Sequence, residues 1–159
     1  MTSLADFTAP APDGTEQDLS TYAGQVVLVV NTATGCGYAS QMPGLQQLHD
    51  EYTDRGFAVL GFPSDQFKQE KVDDTEMAGV CQTQFGTTFP LFAKVRVNGK
   101  DSHPLFRWLR KQKKGALGGR INWNFTKFLV DRDGQVLERY SPTTEPEAIK
   151  ADVEAALAT

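Results

Sequence analysis

Apolar positions fall into short dense runs separated by amphipathic stretches. Val26-Val27-Leu28-Val29-Val30 shows no alternation, which predicts a strand buried on both faces within a central strand over 25–33. Phe57-Ala58-Val59-Leu60-Gly61-Phe62 predicts a second buried strand, ended by Pro63. Between them Leu45, Leu48 and Tyr52 recur at i, i+3 and i+7, the core stripe of a helix over about 40–54. Ser40 is its expected N-cap, Pro43 suits its first turn, and Gly56 closes it. Met77, Val80, Cys81 and Phe85 form the apolar face of a helix over 74–85. Asp73, Asp74 and Glu76 favour its positive end, and Gly86 ends it. Leu105, Trp108 and Leu109 point inward from a helix over Pro104–Lys113. Ile149, Val153, Ala156 and Leu157 do the same for a last helix, opened by the capping box Thr144-x-x-Glu147 and running to about 158.

The remaining runs read as β structure and turns. Phe7 to Ala9 predicts a short strand, Pro12-Asp13-Gly14 a turn, and Thr15 to Leu19 the return. Phe89 to Val97 predicts a strand or strand pair, followed by the turn Asn98-Gly99. Gly115 to Gly119 reads as a short loop. Phe125–Val130 and Val136–Tyr140 form a hairpin about Asp133-Gly134. The order ββαβαβαββα predicts one α/β domain over residues 1–159. Its arrangement is thioredoxin-like: a mixed central β-sheet flanked by helices, with an N-terminal β-hairpin.

Composition narrows the function classes. A chain of 159 residues, 40% apolar and 23% charged, suits a single core. The net charge of −4 argues against nucleic acid as a partner, because phosphate binding needs a basic footprint. No apolar stretch approaches the roughly 20 residues of a membrane span. Met1-Thr2-Ser3-Leu4-Ala5-Asp6-Phe7 has neither a basic n-region nor an apolar h-region, so the expected location is cytoplasmic. Two cysteines do not make a secreted disulfide framework; in a reducing compartment they are structural, catalytic or metal-binding.

The candidate chemistry lies in Asn31-Thr32-Ala33-Thr34-Gly35-Cys36-Gly37. Here the central strand hands over to a helix. Crevices of open α/β sheets form at such carboxyl ends. A thiol near a helix N-terminus meets the positive end of the dipole, which favours an anionic sulfur. The flanking glycines leave room for a substrate. Most lone cysteines in apolar runs are structural; the polar, glycine-rich setting points Cys36 toward chemistry.

Two further stretches fall at element ends that this fold brings together. They are Gly61-Phe62-Pro63-Ser64-Asp65-Gln66-Phe67-Lys68-Gln69-Glu70 and Trp123-Asn124-Phe125-Thr126-Lys127-Phe128. With Phe89-Pro90-Leu91-Phe92, Val97-Asn98-Gly99 and His103-Pro104-Leu105, the chain resembles the glutathione peroxidase family over nearly its whole length. The resemblance implies a peroxidatic thiol at Cys36, cysteine in place of selenocysteine, with Trp123, Asn124 and Gln69 as its partners. The second motif is one residue short, so Gln66 is the alternative to Gln69. Ser64 stands where Cys is common, Asp65 where Asn is common, and Tyr38 where Lys is frequent. Cys81, ahead of Phe89-Pro90, resembles the resolving cysteine of thioredoxin-dependent members.

The implied function is reduction of hydrogen peroxide and organic hydroperoxides, with no metal or organic cofactor. The implied reductant is thioredoxin, acting through a Cys36–Cys81 disulfide, or glutathione. Indole and carboxamide N–H groups suit this chemistry, because they stabilise developing charge on sulfur and oxygen without titrating near pH 7. The short segment between Trp108 and Trp123 implies a monomer. A peroxide sensor passing oxidation to a partner protein shares the first half-reaction. Other thiol chemistries lack their residues: Val29 and Ala33 replace the Pro and Thr of a peroxiredoxin, Ala39 breaks Cys-x-x-Cys, and Ser40 breaks Cys-x-x-x-Cys. His49 and His103 read as structural. Arg107, Arg110, Lys111, Lys113 and Lys114 read as a solvated helix face.

Overall fold

A four-stranded sheet carries the molecule, in the order β4 (Phe57–Pro63), β3 (Val26–Thr32), β5 (Lys127–Val130), β6 (Val136–Tyr140). The structure, a computed structural model, describes residues 1–115 and 118–159. Strand β3 (Val26–Thr32) lies at the centre with every residue buried, and β4 (Phe57–Pro63) runs parallel to it, also fully buried. On its other side β5 (Lys127–Val130) pairs antiparallel, and β6 (Val136–Tyr140) closes the edge. The unbroken apolar runs follow from this placement, since both faces of the inner strands are covered. A separate hairpin, β1 (Thr8–Pro10) with β2 (Glu16–Asp18), precedes the sheet. This is the mixed sheet, flanking helices and N-terminal hairpin of the thioredoxin-like fold.

The two faces of β3 feed two cores. Val26, Leu28 and Val30 pack with α1 (Met42–Tyr52), α4 (Pro146–Leu157), Cys36 and Cys81. Val27 and Val29 pack on the opposite side with Phe62, Phe92, Phe106 and Leu109, under α3 (Pro104–Gln112). Both thiols therefore belong to one core layer.

Several element boundaries differ from the sequence expectation. A 3₁₀ turn over Gly37–Gln41 precedes α1, and Cys36, not Ser40, is the N-cap of that turn. The last helix starts at Pro146 with Glu145 as N-cap, and Thr144 makes no capping box. A proline fixes its own φ and holds the residue before it extended, so the helix opens at the proline. Residues 89–97 form no strand beyond a single bridge between Leu91 and Gly61. They follow the β4 edge through Gly61 N–H to Pro90 O at 2.9 Å and Phe92 N–H to Gly61 O at 3.0 Å. Pro90 has no N–H for a ladder, and the apolar pattern arises because Phe89, Phe92 and Val97 are buried individually. Strand β5 begins at Lys127 rather than Phe125, whose φ of 66° is incompatible with a strand.

The helix over residues 74–85 is present as α2 (Asp74–Phe85), but only Met77 and Cys81 of its expected stripe are buried. In the segment expected as the loop Gly115–Gly119, Gly115 and Gly118 pair with each other, while residues 116–117 lie outside the described residues.

Candidate active site

Cys36 sits just beyond the C-terminal end of β3, 5% exposed. Its sulfur accepts two hydrogen bonds, from the Tyr38 backbone N–H at 3.4 Å and from the Trp123 indole Nε1–H at 3.2 Å. The first closes the 3₁₀ turn and the second comes from the segment leading into β5. Two donors aimed at one sulfur hold its lone pairs in fixed directions.

Trp123 is itself held by the end of β3. Asn31 Nδ2–H donates to the Trp123 carbonyl at 3.2 Å, and Asn31 Oδ1 accepts from Thr126 N–H at 3.1 Å. The Phe125 N–H donates to the Asn31 carbonyl at 2.7 Å. Asn31 thus fixes the turn in which Phe125 takes its left-handed conformation. Phe67 packs on the indole with ring centroids 5.4 Å apart. Asn31 stood in the first motif without a role; its signal was a polar residue ending an otherwise apolar strand.

Asn124 is fully buried, and neither end of its amide has a hydrogen-bond partner among the described residues. A buried carboxamide without partners is costly, and it leaves both donor and acceptor available on the residue next to Trp123 in sequence.

The Gln69 loop reaches the site through its backbone. Gly35 N–H donates to the Gln69 carbonyl at 2.9 Å, and a Cβ on Gly35 would lie 2.6 Å from that oxygen. Glycine is required here by the close approach of two chains. Gln69 is half-buried and, with Thr34, Gly35, Lys68, Lys71 and Val72, lines an open groove. Gln66 is used elsewhere. Its Oε1 accepts from the Val97 and Asn98 backbone N–H groups, and its Nε2–H donates to the Asn98 carbonyl at 3.2 Å. Lys68, between the two glutamines in the shortened motif, adopts a φ of 61°.

Cys81 is a free thiol, 1% exposed, within the core layer that also contains Cys36. Burial pushes the Cys81 thiol up to about 11, and the nearby Glu70 carboxylate adds to the shift. In this conformation the Cys81 thiol stays protonated at pH 7. The two histidines are structural. His49 Nδ1 accepts from Val59 N–H at 3.2 Å, and His103 caps α3 by accepting from Leu105 N–H at 3.1 Å. The basic helix face is partly tied down, since Arg107 donates to the Lys100 and Ser102 carbonyls and Arg110 to Ser102 Oγ.

Comparison with known proteins finds relatives along nearly the whole chain. A sequence profile described as glutathione peroxidase matches residues 4–110. A protein named glutathione peroxidase from Lactococcus lactis subsp. cremoris is 50% identical over 149 residues, covering 93% of this chain and 95% of its own. A hydroperoxy fatty acid reductase from Synechocystis is 49% identical over 159 residues, covering 96% of this chain and 94% of its own. Among solved structures, Trgpx in its apo form superposes with a TM-score of 0.83 at 44% identity, covering 99% of this chain and 97% of that one. With a profile match across two thirds of its length and such relatives along nearly all of it, the chain belongs to the glutathione peroxidase family.

Proposed function

We propose that the protein is a thiol peroxidase in which Cys36 attacks the terminal oxygen of a hydroperoxide. The observation that carries this reading is the Trp123 indole N–H on the Cys36 sulfur at 3.2 Å, with the unpartnered Asn124 amide next in sequence. In the first step the Cys36 thiolate forms an S–O bond as the O–O bond breaks. The leaving oxygen takes a proton and departs as water or an alcohol, and the sulfur becomes a sulfenic acid. Trp123, Asn124 and Gln69 supply neutral N–H donors for the charge that develops on sulfur and oxygen.

In the second step the Cys81 thiolate attacks the sulfenic sulfur as its S–O bond breaks; the hydroxyl takes a proton from solvent and leaves as water, and a Cys36–Cys81 disulfide forms. A disulfide needs Cα atoms within about 7 Å, and Cys81 must first leave its core position. Helix α2 favours that release, because among the described residues it buries only Met77 and Cys81 fully and it carries Gly79 inside. A dithiol protein of the thioredoxin type then reduces the disulfide by exchange, through a mixed disulfide with one of the two sulfurs. The short Trp108–Trp123 segment supports action as a monomer, and the low cysteine count supports a reducing, cytoplasmic location.

Steady-state peroxide consumption with thioredoxin and with glutathione as separate donors tests this reading. Turnover should be faster with thioredoxin and vanish in Cys36→Ser, a nearly isosteric change at a turn. Full activity in Cys36→Ser would remove Cys36 from the mechanism, and turnover only with glutathione would remove the disulfide step.

A further inference from the structure

Glu70 is the buried charge that the peroxide chemistry leaves unexplained. It is 4% exposed, and no ion pair involves it among the described residues. A buried carboxylate without a cation is unfavourable unless strong donors replace its water. Three do so here. Oε1 accepts from Thr34 N–H at 2.9 Å, and Oε2 accepts from Thr34 Oγ1–H at 2.6 Å and Val72 N–H at 3.2 Å.

The placement of these bonds is specific. Thr34 lies two residues before Cys36, and Glu70 directly follows Gln69. Both carboxylate oxygens grip the same threonine across the gap between the two loops, alongside the Gly35-to-Gln69 backbone bond at 2.9 Å. The Val72 bond fixes the far side of the Glu70 loop. A carboxylate is needed, because all three partners are donors and a neutral amide would turn its own N–H toward one of them. Glu70 thus lies where the Cys36 turn and the Gln69 loop meet.

We propose that Glu70 is a positioning residue for the peroxide step, its buried carboxylate fixing the Cys36 turn against the Gln69 loop. It touches neither sulfur nor substrate; it sets the distance between the thiolate and the donors that meet the peroxide oxygens. This rests on the reading of Cys36 as the peroxidatic thiol. Displacements near 1 Å in such a constellation cost up to about 10²-fold in rate, so loss of part of the clamp should be readily measured.

The test uses Glu70→Gln, Thr34→Val and the double variant in the full chain. Two second-order rate constants are compared at one pH: oxidation of Cys36 by hydrogen peroxide, and its alkylation by iodoacetamide. Alkylation needs the thiolate but not donors placed for a peroxide, so it separates positioning from general loosening. Each single variant should lose about tenfold in peroxide rate, with alkylation not slowed. The double variant should lie within twofold of Glu70→Gln, because both changes cut the same clamp. Peroxide rates within twofold of wild type, losses that multiply, or an equal loss in alkylation would each overturn the proposal. Thr34→Val decides alone if Glu70→Gln does not fold. A wild-type protein whose Cys36 ignores peroxide would instead refute the peroxidase reading itself.

Discussion

Among the described residues Asn124 holds a buried amide with no partner at either end, a state that costs about 1–3 kcal/mol per unsatisfied group. A residue kept in that state contributes to something other than stability. Asn124→Ala should therefore leave thermal stability unchanged or raised, while slowing single-turnover oxidation of Cys36 by about 10²–10³-fold, the scale for one preorganised donor. Trp123→Phe should show the same kinetic loss, since it removes the N–H on the sulfur. Rapid mixing with hydrogen peroxide measures both, and unchanged rates would exclude these donors from the transition state. At this scale Cys36 and Trp123 were legible because both stand in unusual local settings: a cysteine between glycines, and an indole next to a polar turn. The role of Asn31 was not, because its partner is 92 residues away in sequence. Nor could spacing separate Gln66 from Gln69. The bonds of Gln66 to Val97 and Asn98 assign it a structural task, and they depend on how the segment along the β4 edge ends against the Gln66 loop.

Elements were read most securely where periodicity was strong and most poorly at their ends. The run Val26–Val30 dictated a buried strand, but the choice of cap fell to tertiary partners. Thr144 offered a capping box in sequence, yet its carbonyl is taken by the Lys127 ammonium at 2.7 Å. Lys127 also donates to the Ser141 and Pro142 carbonyls at 3.4 and 3.2 Å, while Gln41 Nε2–H reaches Pro142 O at 2.7 Å. One buried amine thus ties β5 to the entrance of α4, and through Pro142 to the turn that follows Cys36. Burial pushes the Lys127 ammonium down to about 8, against the opposing charge of Glu145.

The sign of the linkage follows from that shift. Between about pH 8 and the ordinary lysine value near 10.4, the unfolded chain binds the extra proton. This group's contribution to stability therefore rises with pH across that window. Cys81, raised to about 11, acts in the opposite direction from about pH 9 upward, so the clean interval is pH 8 to 9. Lys127→Met leaves three carbonyls without their donor and should destabilise by about 1–3 kcal/mol. Urea unfolding should show a larger gap from wild type at pH 9 than at pH 7. A constant or shrinking gap would mean that the amine is not held below its ordinary value.

For the whole molecule, the order of elements was enough to set the sheet and to place three motifs at one end of it. It could not show that Cys36 and Cys81 share a core layer, since that depends on how α2 folds back over the β3 face. In this conformation the thiols are separate and Cys81 is held protonated by burial and by Glu70. On the proposed mechanism the cycle alternates between a closed state that oxidises Cys36 and an open state in which α2 releases Cys81. Opening removes Met77 from the core at about 1.5–3 kcal/mol for a fully exposed side chain. A bond between the sulfurs offsets that loss only after Cys36 has been oxidised. Mass spectrometry after one equivalent of hydrogen peroxide, on wild type and on Cys81→Ser, tests this most directly. Wild type should lose two hydrogens and yield a Cys36–Cys81 cross-linked peptide, while Cys81→Ser should accumulate a Cys36 sulfenic acid and lose thioredoxin-dependent turnover. Wild-type turnover by Cys81→Ser with thioredoxin, and no cross-linked peptide in the wild-type protein, would contradict it.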